Sequence, residues 1–61
     1  MNLTDISAGD KVYDTIGDIY YFVMHQAANL TSAAYAVSGD KCLFVTQSDL
    51  DSGRVEVVSN E

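Results

Sequence analysis

The sequence has no proline and no tryptophan, one cysteine, one histidine, and only three basic residues among 61. Each scarcity excludes something. A lone Cys42 cannot form an intrachain disulfide. Cys42 and His25 together make two soft ligands, short of the roughly four that structural zinc takes. Cys42 lies in the apolar run "KCLFV" and reads as a small buried hydrophobe, the competing reading being a thiol activated by His25. No apolar run approaches the roughly 18 residues of a membrane span. The start, "MNLTDISAGDK", has neither the basic head nor the apolar core of a secretory leader, so the sequons at Asn2 and Asn29 carry no implication. A cytosolic setting is expected.

The bases are Lys11, Lys41 and Arg54, set against nine acids for a net charge of −6. Direct nucleic-acid binding needs a basic footprint, and this chain has the opposite. Anionic membrane surfaces are disfavoured for the same reason. The balance favours solubility and encounter with a basic protein surface.

What is present is apolar material: 48% hydrophobic residues, with four Tyr and two Phe. That supports a folded domain over a disordered tail. The length allows one domain, residues 1–61. A chain this short is marginal alone, and a partner or second copy would add burial, so a monomer or weak dimer is expected.

Glycine and aspartate supply the punctuation: Gly9-Asp10, Gly17-Asp18, Gly39-Asp40, then Ser52-Gly53. "KVYDTI" (11–16) and "IYYFVMHQ" (19–26) are rich in strand formers and read as a hairpin. "KCLFVTQ" (41–47) and "RVEVV" (54–58) read as further strands. "SDLDSG" (48–53) reads as one helical turn capped by Ser48, with Asp49 and Asp51 near its positive end. Residues 27–37 are ambiguous. Ser32 with Ala33, Ala34 and Ala36 suits a capped helix, whereas Tyr35 and Val37 suit a strand.

The series "GDKVYD", "GDIYYFV" and "LFVTQSDLDSGRVEV" resembles the small SH3-like barrels over residues 9 to 58. In those domains a Gly-Asp step leads the first strand into a hairpin, and a one-turn helix precedes the last strand. The resemblance implies a mainly β fold, a small five-stranded antiparallel barrel with one short helical turn. Lacking tryptophan and a paired-aromatic groove, the chain does not inherit proline-rich peptide recognition. The alternative fold is α+β, an antiparallel sheet of three or four strands with a helix at 27–37.

The second strand bears on that choice. Ile19, Tyr21, Val23 and His25 alternate with Tyr20, Phe22, Met24 and Gln26, and both sets are largely apolar. A strand with one wet face should alternate with polar residues. Either a helix covers the outer set, or that set is an exposed contact patch, or a second copy covers it.

Asp10, Asp14 and Asp18 stand four residues apart. On a strand, neighbours at that spacing lie roughly 13 Å apart. Asp10, Asp18 and Asp40 follow glycines, where turns favour aspartate for local hydrogen bonds. "DLDSG" lacks the closing glutamate of a calcium loop, so no metal is expected. Paired-carboxylate catalysis needs a cleft that so short a chain has little room for, and neither enzymatic activity nor a cofactor is expected.

In size and charge the chain resembles the small acidic phage-encoded inhibitors of the anti-CRISPR type. That resemblance implies a DNA mimic blocking the DNA-binding site of a CRISPR surveillance complex in a bacterial cytosol. Asp10, Asp14, Asp18, Asp40, Asp49, Asp51 and Glu56 would then make the contacts, with Tyr20 or Phe22 as a central anchor. The alternative is an SH3-like protein–protein interaction module docking onto a larger assembly.

Overall fold

The computed structural model describes residues 1–59; Glu61, one of the nine acids, lies outside them. Five strands form one antiparallel sheet: β1 (Lys11–Asp14), β2 (Ile19–His25), β3 (Ala34–Ser38), β4 (Lys41–Val45) and β5 (Val55–Ser59). Their order across the sheet is β4-β3-β2-β1-β5. A helical turn, α1 (Gln47–Ser52), precedes β5, and a 3-10 turn spans Leu3–Asp5. The five antiparallel strands and the helical turn before the last are those the SH3-like resemblance implied.

Residues 27–37 hold no helix, which removes the α+β alternative. Tyr35 and Val37 lie in β3, between β2 and β4. Upstream, the Thr31 amide donates to Asn29 Oδ1 at 2.9 Å and the Asn29 amide to Ser32 Oγ at 3.1 Å. These local bonds hold a turn, so Ser32 is a turn residue instead of a helix cap.

Ser48 does not cap α1 either. Thr46 does, because it stands three residues before an acid. The Asp49 amide donates to Thr46 Oγ1 at 3.3 Å, and the Thr46 amide donates back to Asp49 Oδ2 at 3.0 Å. This reciprocal cap ends β4 at Val45, short of the 47 that strand propensity suggested. Gly53, at φ +79°, ends the helix in the left-handed conformation.

Inward-facing residues of the sheet form the core: Val12, Tyr21, Val23, Ala34, Ala36, Val45 and Val55. Leu3 and Ile6, both fully buried, add the N-terminal segment to it, and Leu50 packs on from α1. Among the described residues no helix is long and apolar enough to cross a membrane.

Candidate interaction surface

Among the described residues no helix covers the outer face of the sheet. Strand pairing arranges its side chains in three rows. Phe44, Tyr35 and His25 make the first, with Phe44–Tyr35 ring centroids at 5.3 Å and Tyr35–His25 at 6.3 Å. The second runs Cys42, Val37, Phe22, Lys11 across β4 to β1. The third runs Tyr20, Tyr13, Glu56, with Tyr13 and Tyr20 centroids 4.7 Å apart. Lys11 lies over the Tyr20 and Phe22 rings, its Nζ 5.0 and 5.7 Å from their centroids. Tyr20, Phe22 and Phe44 remain 49%, 54% and 61% exposed.

Two residues sit elsewhere than the sequence suggested. Strict alternation put His25 on the face of Tyr21 and Val23. A bulge between Val23 and His25 moves it to the outer face beside Tyr35. Cys42, read as buried, is exposed, because β4 is an edge strand and Cys42 lies on its outer face opposite Val37. His25 and Cys42 stand on β2 and β4, which β3 separates, so they do not adjoin as a thiol–base pair.

The acids divide. Asp10 and Asp14, counted as contact residues from the sequence, are buried. Asp10 Oδ2 accepts the Ser7 amide at 2.9 Å, and its carbonyl accepts the Val23 amide at 2.8 Å. It clips the N-terminal segment to β2. Asp14 Oδ1 accepts the Ile16 amide at 3.0 Å, which turns the chain out of β1 before the expected end at 16. Asp49 is tied into the cap and ion-paired to Arg54 at 3.3 Å. Burial raises its pKa, but the Thr46 bonds and the Arg54 charge outweigh that and hold it below the ordinary value. Asp18, Asp40, Asp51 and Glu56 are exposed.

Asp10→Ala should therefore act on folding. It removes the carboxylate acceptor of the part-buried Ser7 amide bond, and a hydrogen bond to a charged group is worth about 1.5–3 kcal/mol. Urea unfolding monitored by circular dichroism reads that loss directly.

Register brings the β1–β2 and β3–β4 turns to the same end of the sheet, since Asp14 pairs with Ile19, Phe22 with Val37 and Ser38 with Lys41. Asp18 and Asp40 thus share one end, on hairpins whose centres lie about two strand spacings, or roughly 10 Å, apart. The start of β5 joins them there, the Thr15 amide donating to the Arg54 carbonyl at 2.9 Å.

Asp18 also accepts the Tyr13 hydroxyl. That hydrogen bond, with burial and the carboxylate charge, pushes the Tyr13 phenol up to about 12. The folded pKa lies above the usual value near 10, so the contribution is present below about pH 10 and lost as pH rises through about 12. Asp18→Gly, which tolerates the positive φ there, should return one tyrosine toward ordinary ionisation in an ultraviolet titration. An unchanged titration would show that the bond does not form in solution.

Sequence reasoning named Tyr20 and Phe22 on this surface and passed over Tyr13, Tyr35, Val37, Phe44 and Lys11. The available signal was alternation in β1, β3 and β4, which puts Tyr13, Tyr35 and Phe44 on the face opposite Val12, Ala36 and Val45. Among the described residues no pocket opens on the surface, and no three His, Cys, Asp or Glu side chains group as metal ligands. Comparison with family models, curated proteins and solved structures finds no match.

Proposed function

We propose that this domain is a non-enzymatic protein–protein interaction module that docks onto a larger assembly through the outer face of its sheet. The observation that carries this reading is the aromatic outer face, with Tyr20, Phe22 and Phe44 half exposed or more. Contiguous apolar surface on a small domain marks binding sites. Tyrosine and phenylalanine are enriched where protein interfaces bury their centres. Glu56 borders the face on β5, and Asp18 and Asp40 border it at one sheet end. The partner is a protein surface with an apolar centre and Lys or Arg around it, in a bacterial cytosol.

The test is affinity capture from a bacterial lysate with the wild-type domain and with Tyr20→Thr/Phe22→Thr. A specific protein held by the wild type and lost by the folded variant supports the reading. Equal retention by both overturns it.

A second reading is anti-CRISPR-like mimicry of DNA, favoured by the placement of Asp18 and Asp40 on neighbouring turns of a chain with net charge −6. With Asp10 and Asp14 buried and Asp49 paired, it rests on Asp18, Asp40, Asp51 and Glu56. It requires that reversal of Asp18 and Asp40 to lysine abolish capture of a CRISPR surveillance complex, and that target duplex DNA and high salt compete the domain off. Capture indifferent to both removes it.

A further inference from the structure

The sheet has two edges, and they are defended differently. β5 carries Glu56, and a bulge breaks its register with β1 between Lys11 and Val12. Charges and bulges are the usual means of preventing an edge from pairing. β4 has no bulge and little charge. Its five residues, "KCLFV", pair with β3 in unbroken register, contain no acid and no proline, and bear one charge, Lys41, beside the turn. Among the described residues, no backbone hydrogen bond outside the sheet reaches β4.

We propose that β4 pairs antiparallel with β4 of a second copy, about a two-fold axis through Leu43, to form one continuous sheet. The hairpin to β3 has the two-residue loop Gly39-Asp40, with φ +61° at Gly39 and not at Asp40, the type II′ pattern. Its closing pair, Ser38 and Lys41, is hydrogen-bonded in such a hairpin. Alternation then turns the N–H and C=O of Lys41, Leu43 and Val45 toward β3, and those of Cys42 and Phe44 outward. Two outward residues flanking Leu43 are self-complementary. Cys42 of each copy exchanges both bonds with Phe44 of the other, and the two Leu43 side chains meet across the axis.

Register selects the occupant. Pairing about Leu43 sets Lys41 of each copy opposite Val45 of the other, so the single charge of β4 meets no like charge across the axis, and Glu56 on the far edge stays away from it. The pairing uses the edge and leaves the outer face open, so it stands independently of the docking reading.

Sedimentation equilibrium of the full chain tests it. We expect twice the monomer mass at concentrations up to about 1 mM, a weak-dimer range. Cys42→Pro removes an outward donor that β3 does not use, and should give a folded monomer by circular dichroism. Because proline can also disturb β4, Phe44→Cys provides a second readout. In this register the cysteine introduced at position 44 of one copy lies about 5.5 Å in Cα distance from Cys42 of the other, within disulfide reach. Two Cys42 residues lie roughly 9 Å apart, beyond it. Mild oxidation should therefore cross-link Phe44→Cys as a dimer on a non-reducing gel, and leave the wild type uncross-linked. A wild type monomeric at every concentration overturns the proposal. So does a folded Cys42→Pro variant that remains dimeric, or a Phe44→Cys variant that does not cross-link.

Discussion

Exchanging Tyr20 and Phe22 together for threonine should lower affinity for the partner by about a thousandfold and leave the fold in place. Buried aromatic anchors at interface centres lose about 2 kcal/mol or more each on truncation. Two such losses make about 4 kcal/mol, close to three powers of ten in Kd. The cost to stability is much smaller, because both side chains point away from the core. Tyr20 gives up its contact with Tyr13, a cross-strand pair worth about 0.2–1 kcal/mol. Threonine keeps the β-propensity of the strand. Lys11 loses both rings beneath its ammonium, about 0.5–1 kcal/mol at an exposed site. The melting temperature should fall by roughly 5–15 °C, since a domain of this size loses about 4–8 °C per kcal/mol. Titration calorimetry against the captured partner measures the binding loss, and thermal circular dichroism measures the stability. A variant that binds as tightly as the wild type would remove the outer face from the interface.

The second large effect concerns a residue far from that face. Leu3→Ala should remove about half or more of the domain's folding stability at 25 °C. Leu3 is fully buried, and its amide donates to Gln47 Oε1 at 2.7 Å, so it joins the N-terminal turn to α1. Gln47 Nε2 returns a bond to the Met1 carbonyl at 2.9 Å. Truncating a buried leucine costs about 2–5 kcal/mol. A chain of 61 residues has only about 3–9 kcal/mol in total at typical stability per residue. Urea denaturation followed by tyrosine fluorescence would show the midpoint fall to about half its wild-type value or below. A midpoint within a few tenths molar of the wild type would mean that residues 1–6 are not part of the core in solution.

Local chemistry was enough for the parts of the fold that depend on neighbours in the chain. The glycines at 39 and 53 mark the β3–β4 turn and the end of α1, because each adopts a left-handed backbone that side chains disfavour. Clusters of Val, Ile, Tyr and Phe place four of the five strands. Even the exchange of Ser48 for Thr46 as helix cap was legible, in the Thr46–Asp49 spacing of a capping box. The charge balance, and with it the exclusion of a basic nucleic-acid footprint, needs no structure at all.

Contacts between distant segments decided the rest. Tyr35 and Val37 form a strand because β2 and β4 offer pairing on both sides, which outweighs the helical preference of Ala33, Ala34 and Ala36. Asp10 and Asp14 changed from surface charges to buried acceptors because the amides of Ser7 and Ile16 converge on them. The alternation of β2 was visible from the start, but whether its second apolar set was covered depended on where the chain's helix lay. The helix follows β4 in the chain and packs against β5 and, through Leu50, the core, so Tyr20 and Phe22 are left in water. Apolar residues at period two establish that a strand has two apolar faces. Only the placement of every other segment establishes which face the chain itself buries and which it leaves for something else.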